Sequence, residues 1–305
     1  MPKLSVVVCT YNREVYIGKC LEHLAQQTAA TADYQVVVVN NNSTDNTESV
    51  CQKVIAVHPE IGWTYVVETK PGLSHARNRG FEEANGDYIA FIDDDAFAHP
   101  NFAEELIAFF DRTPDAAAIG GKIVPSYEEG EPAWMSKHLL PLVASLDRGP
   151  QVNRFMGTKF PIGANMAFRT KQLANIGEFD PNLGRKAGNL EAGEEKDIFN
   201  RLKAQNATIY YVPTVVVDHI IPAKRVQLSY IKAMAHGVAI SERKRLQGMG
   251  MGAWLSKWWS EAIKSAGTLV LALGHLVRGN PAKSFMLIRF RYWVISKLLQ
   301  SRHNS

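Results

Sequence analysis

The feature that most constrains the fold is an alternation running from Leu4 to Arg112. Short apolar runs recur at Leu4–Cys9, Gln35–Val39, Thr64–Glu68 and Tyr88–Ile92. Each is nearly continuous in hydrophobicity, the pattern of a strand covered on both faces in a parallel sheet. Between them lie helical patterns: Tyr16, Ile17, Cys20, Leu21 and Leu24; then Val50, Val54 and Val57; then Leu73, Ala76, Gly80, Phe81 and Ala84. Phe102, Leu106, Phe109 and Phe110 mark a fourth. Strand–helix repetition of this kind predicts an α/β chain with an open, mostly parallel sheet flanked by helices. Ligands of such sheets gather beyond the carboxyl ends of the strands.

The residues at those ends are strongly polar. The fourth run empties into Asp93-Asp94-Asp95. Extended backbone would put Asp93 and Asp95 on one side and Asp94 on the other. Three like charges at a strand end need a counter-charge, and a hard divalent cation, Mg²⁺ or Mn²⁺, is the simplest one. In isolation a triplet of this kind more often marks a solvated turn. Its place at the end of a buried strand favours the metal. Thr10-Tyr11-Asn12-Arg13 follows the first run and Asn40-Asn41-Asn42-Ser43-Thr44-Asp45 the second. Both are rich in hydrogen-bonding groups, although turn chemistry alone would account for the asparagines. Arg77 opens the third helix. A guanidinium there can meet a diphosphate or simply face solvent.

The second half is less regular. Strands are expected at Ala117–Val124, Gly163–Arg169 and Thr208–Ile220, and a helix at Glu191–Gln205 with acids in its first turn. Residues 125–160, rich in Pro, Gly, Trp and charge, read as a long loop region. Cys9, Cys20 and Cys51 have no metal-like spacing, and their odd number favours reduced thiols. The opening MPKLSVVVCTYNRE is strand-like and lacks the features of a secretory signal, and no run is apolar and long enough to span a bilayer. No G-x-G-x-x-G follows the first strand, which disfavours a dehydrogenase.

Six motifs in order carry a resemblance. Ser5-Val-Val-Val-Cys-Thr-Tyr-Asn-Arg13, Val37-Val-Val-Asn-Asn-Asn-Ser-Thr-Asp45, Gly72-Leu-Ser-His-Ala-Arg-Asn-Arg-Gly80 and Gly86-Asp-Tyr-Ile-Ala-Phe-Ile-Asp-Asp-Asp95 are followed by Gly163-Ala-Asn-Met-Ala-Phe-Arg169 and Gly193-Glu-Glu-Lys-Asp197. The chain from residue 4 to about 220 thereby resembles the family 2 glycosyltransferases of the GT-A fold, of the bacterial polysaccharide and glycan type. The resemblance implies inverting transfer of a sugar from a nucleoside diphosphate sugar, commonly UDP-linked, to a glycan or polyprenyl-linked saccharide. Carried over by position, Thr10, Tyr11 and Asn41 line the donor base pocket, Asn12 is a further donor-binding residue, Arg77 lies near the pocket, and Asp93 and Asp94 approach ribose and sugar. Many members carry Asp where Asn41 stands; an amide can still read a base edge. Asp95 resembles the principal metal ligand, and His219 a residue that completes the shell in some relatives. The family usually has Glu-Asp where this chain has Glu194-Glu195, so Glu195 takes the place of the base and Asp197 is the alternative. Acceptor contacts are expected from Phe160–Arg169, Asn165 among them, and from Trp134. Two other readings fit the same strand ends: a nucleotidyltransferase acting on a sugar phosphate, and a catalytically inactive sugar-nucleotide binding module.

The net charge of +4 conceals a polarised chain. Residues 225–305 hold 13 Lys and Arg against 2 acids, leaving 1–224 with an excess of acid. An acidic body with a basic, tryptophan-bearing tail points to an anionic surface and away from nucleic acid. The expected division is a catalytic domain over 1–224, split into a donor half at 1–112 and an acceptor half at 113–224, followed by a helical extension at 225–305. Trp254, Trp258 and Trp259 precede the apolar run 266–274, with Lys257, Lys264 and Arg278 around it. That pattern suits helices lying in a membrane interface, or else a helical subdomain. The expected setting is cytoplasmic, peripheral on the inner membrane.

Overall fold

In a computed structural model, which describes residues 1–183 and 193–299, the valine-rich runs form buried strands. β1 (Leu4–Thr10), β2 (Tyr34–Asn40), β3 (Gly62–Val67) and β4 (Tyr88–Asp93) lie parallel in the spatial order β3-β2-β1-β4. Their register sets Thr10 opposite Asn40 and Cys9 opposite Asp93, so the polar strand ends share one edge. α1 (Ile17–Ala25), α2 (Thr47–Val57), α3 (Leu73–Glu82) and α4 (Phe102–Arg112) connect or follow these strands. α1 buries Ile17, Cys20, Leu21 and Leu24, the i, i+3, i+4, i+7 set of a core-facing stripe. Val6, Val8, Val36 and Val38 fill one face of the sheet, and Val7, Val37 and Val39 the other. Each such side chain contributes about 1.5–3 kcal/mol on burial.

Beyond β4 the sheet turns antiparallel. β5 (Ala96–Ala98) leaves the aspartate triplet, and β6 (Ala116–Tyr127), β7 (Asn153–Arg154), β8 (Met166–Arg169) and β9 (Thr208–Ile221) follow. β8 pairs antiparallel with both β4 and β6, while β9 lies beside β6 and pairs antiparallel with β5 and β7. A 3₁₀ turn at Gly163–Asn165 occupies the start of the strand expected from Gly163. α5 (Thr170–Ile176) and α6 (Glu194–Ala204) complete this region; the expected helix start at Glu191 lies outside the described residues. The three cysteines are free thiols, and burial pushes those of Cys9 and Cys51 up to about 12.

The chain divides into two compact units. Met1–Val124 with Ala144–Ile220 form the first, and Pro125–Val143 with the chain from Ile221 form the second. Residues 125–143, which read as loop in the sequence, thus belong to the unit that contains the C-terminal helices. In the second unit Met135, Leu139 and Val143 share a small core with Ile231, Met286 and Leu287. Its helices are α7 (Leu228–Leu246), α8 (Met251–Val277) and α9 (Pro281–Leu299), with α9 packed on both of the others.

Candidate active site

The aspartate triplet sits where β4 gives way to β5. β9 pairs antiparallel with β5 so that His219 lies opposite Ala96, one residue past the triplet. This places His219 Nε2 3.1 Å from Asp95 Oδ1, with both residues 1% exposed. Ligand atoms of Asp93, Asp95 and His219 all lie within 4.8 Å of one another. Asp93 thus joins the candidate metal group, beside its expected role toward the donor. Asp94 turns to Arg13, whose Nε is 3.4 Å from Asp94 Oδ1 and whose Nη2 is 3.6 Å from Asp95 Oδ2. Arg13 is a site residue that the sequence reading misses. Its signal is present in the Thr-Tyr-Asn-Arg motif, but the pairing depends on how the first loop folds back.

Arg77 occupies the centre of the site. It is 2% exposed, and its Nη1 donates to Glu194 Oε1 at 3.1 Å. Its Nη2 lies 3.5 Å from Glu195 Oε1 and 3.8 Å from Asp93 Oδ1. Both terminal nitrogens are therefore engaged by carboxylates, and one guanidinium links the metal-type cluster to the acids that start α6. Glu194 is buried at 2% exposure, whereas Glu195 keeps 24% of its side chain open to solvent. Burial raises the pKa of Glu195 above the ordinary glutamate value; Arg77 opposes the shift, and Glu194 and Asp93 add to it. The Gly163 N–H donates to the Glu195 carboxylate. A β-carbon at Gly163 would overlap the Glu195 carboxylate oxygen and the Arg77 guanidinium, so only glycine allows this approach.

Five carboxylates (Asp93, Asp94, Asp95, Glu194 and Glu195) thus share two guanidiniums, those of Arg13 and Arg77. Burial raises the pKa of Asp94, with Arg13 working against it and Asp95 reinforcing it. This excess of buried acid is the environment that a divalent cation relieves. Two carboxylates and one imidazole are a donor set suited to Mn²⁺ or Mg²⁺.

The other expected residues are placed as follows. Thr10 is buried at the end of β1, Tyr11 is 46% exposed beside it, and Asn12 Oδ1 accepts from the Thr44 N–H at 2.8 Å. Asn12 thereby ties the first strand end to the second. It does so in the left-handed backbone region, which asparagine tolerates. Asn41 donates from Nδ2 to the carbonyls of Glu68 and Lys70 and accepts the Gly72 N–H at Oδ1. Its amide holds the loop before α3 and has no donor left for a base. Asn165 is 1% exposed and bridges β6 to β9, donating to the carbonyls of Lys122 and Val215, both at 3.0 Å. A β-carbon at Gly121 would collide with that amide. Trp134 belongs to the second unit, half-buried against its core. Of the two expected acceptor contacts, Asn165 thus has both amide donors committed to backbone carbonyls, while Trp134 lies partly buried in the second unit.

A family model, Glycosyl transferase family 2, matches residues 5–177, more than half of the chain. A glucosyl-dolichyl phosphate glucuronosyltransferase of Haloferax volcanii is 29% identical over 227 residues, 71% of this chain and 69% of that protein. Among solved structures, a mannosyltransferase of Pyrobaculum calidifontis in complex with GDP-Man and Mn²⁺ aligns with TM-score 0.63 at 18% identity, over 99% of this chain and 87% of that one. S. aureus TarS 1–349 with UDP-GlcNAc aligns with TM-score 0.52 at 17% identity, over 96% and 91% of the two chains. At such identities the solved structures establish the GT-A fold alone. The matched motifs are also the ones that meet in the site: the Thr10 and Asp93 strand ends and Arg77. The chain is a member of glycosyl transferase family 2, and a glycosyltransferase.

Proposed function

We propose that the protein transfers a sugar from a nucleoside diphosphate sugar to a hydroxyl of a glycan or lipid-linked saccharide, inverting the anomeric centre in a single displacement. The observation that carries this reading is the joining of the Asp93–Asp95–His219 group to Glu195 through Arg77. The acceptor oxygen attacks the anomeric carbon while the bond from that carbon to the diphosphate oxygen breaks. The acceptor proton passes to Glu195, whose raised pKa makes it a stronger base than an ordinary glutamate. Asp93, Asp95 and His219 would hold a divalent cation, Mn²⁺ or Mg²⁺, which offsets negative charge on the leaving diphosphate when bound. Arg77 orients Glu195, and Glu194 keeps Arg77 in place. Thr10 and Tyr11 remain next to the donor edge. The Asn41 amide, committed to the α3 loop, supports base selection through that loop's shape, so UDP and GDP are both candidates. The Haloferax relative acts, by its name, on a dolichyl phosphate-linked sugar, which supports a lipid-linked acceptor here. Such an acceptor would be met at the cytoplasmic face of the membrane.

Thermal unfolding with UDP, GDP and dTDP, each with and without Mn²⁺, tests the donor half of the proposal. One nucleotide should stabilise the protein, more so with Mn²⁺, and Asp95→Asn should remove the Mn²⁺ increment. Stabilisation by none of them, or an increment that survives Asp95→Asn, would refute it. Product stereochemistry by NMR tests inversion.

A further inference from the structure

Helix α8 is amphipathic in the reverse sense of a soluble helix. Leu255, Trp259, Ile263, Val270, Leu273 and Val277 are each between 58% and 81% exposed. Their spacing keeps them on one face of a 3.6-residue helix, a stripe roughly 33 Å long. The opposite face is polar and buried. Lys257 is 8% exposed and Glu261 3%. Lys257 Nζ meets Glu242 Oε2 at 2.7 Å and Glu261 Oε1 at 3.0 Å, while Arg291 Nη1 of α9 meets Glu261 Oε2 at 3.0 Å. Arg291 Nε also lies 3.4 Å from Thr268 Oγ1. Helix α9 adds exposed Phe285, Ile288 and Tyr292, with the exposed Arg289 among them. In water a helix pair gains by burying its apolar stripe. Helix α8 instead turns an ion-pair network inward and its leucines and Trp259 outward, while the apolar burial of α9 goes to Met286, Leu287, Val294 and Leu298.

We propose that the exposed stripe of α8, with the outer face of α9, docks in the interface of an anionic lipid bilayer. Three observations favour lipid over a second copy of the chain. Exposed cations, Arg278 and Arg289, accompany the apolar residues, as they do where side chains reach up to lipid phosphates. Residues 225–305 carry 13 basic and 2 acidic residues, so a two-fold contact would set like charge against like. Trp259 and Tyr292 join the exposed faces, and such side chains settle at headgroup depth. Among the described residues no helix is long and apolar enough to cross a membrane, so the hairpin would lie in the surface plane. The inference stands apart from the proposed reaction: lipid binding needs neither nucleotide nor metal.

Flotation of the full-length protein with phosphatidylcholine vesicles, with and without phosphatidylglycerol, tests it. The protein should float with the anionic vesicles, and less so as salt is raised. L255Q/W259Q/L273Q, all at exposed positions, should keep the far-ultraviolet dichroism of the parent and lose binding by about tenfold or more. R278Q/R289Q should lose about tenfold on anionic vesicles and little on neutral ones. Quenching of tryptophan fluorescence by brominated lipid should fall in Trp259→Phe. Equal flotation of L255Q/W259Q/L273Q would overturn the proposal. So would absence of flotation, whether light scattering then finds a dimer that this variant disperses or a monomer left to bind another protein.

Discussion

The two compact units each have an apolar core, but they differ in what a principal helix turns inward. In the first, strands β1 and β2 and helix α1 send valine, leucine and isoleucine inward and leave charge at the strand ends. In the second, α8 sends Lys257 and Glu261 inward and leucine and tryptophan outward. The first unit gathers its buried ionic groups at the strand-end cluster: Arg77 and Glu194, both 2% exposed, pair with each other, and Arg77 also reaches Glu195. The buried network around Glu261 lies in the helical unit and has no such constellation around it. The comparison teaches that a buried ion pair identifies a site only together with its neighbours. At Arg77 they are carboxylates in excess of the positive charge beside them, whereas Glu261 is met by the three cations Lys257, Lys264 and Arg291.

The contrast can be broken at its strongest point by Glu195→Gln. Loss of the base should lower kcat by about 10²–10⁴ while leaving nucleotide binding intact, as measured by steady-state kinetics and calorimetry. The acidic limb of the kcat profile checks the same group. Activity requires the carboxylate form, and burial raises its pKa, so activity should be lost as pH falls through a point above the ordinary glutamate range. A limb at the ordinary value would assign the base elsewhere, Asp197 first.

Core substitutions come next in size. Phe91 is 1% exposed and edge-on to Phe168 and Phe179. Phe91→Ala should cost about 3–5 kcal/mol in denaturant unfolding. Glu261→Gln should cost about 3 kcal/mol, because it leaves Lys257 and Arg291 without their shared carboxylate. Glu261 titrates lower in the folded chain than in the unfolded one: burial works against this, and Lys264 and Lys257 overcome it. Its stabilisation is therefore present above the unfolded glutamate pKa and lost as pH falls through the lower folded value. Acid unfolding of the second unit should lose this component in Glu261→Gln. Smallest of all is Trp259→Ser in lipid-free solution, since the ring is 71% exposed. It should change stability by no more than about 0.5 kcal/mol. A cost several times larger would mean the ring is covered in solution and would erase the contrast.

Much of the first unit is legible because its signals are local. β1, β2 and β4 are runs of apolar residues, and the polar clusters stand directly after them in sequence. β5 is not legible: Ala96–Ala98 is too short to show a period, and it exists because β9 supplies its partner. Gly163 and Arg13 are visible only as motif members, since their roles depend on approaches from residues far away in the chain. Asn41 and Asn165 read as ligand contacts because an amide pattern does not disclose whether its bonds go to ligand or to backbone. Here they go to the carbonyls of Glu68, Lys70, Lys122 and Val215. Residues 125–143 read as loop because Met135, Leu139 and Val143 are spaced along short turns, and burial appears only once α7 and α9 are in place.

The close approach at Gly163 carries a consequence for laboratory evolution. Its missing side chain is the space that the Glu195 oxygen and the Arg77 guanidinium share. A saturation library at position 163 screened for turnover should return the parent codon almost exclusively, while the same library screened for expression tolerates alanine and serine. The position would act as a lock on any attempt to retrain this enzyme for a new acceptor: diversity can be introduced around it but not through it.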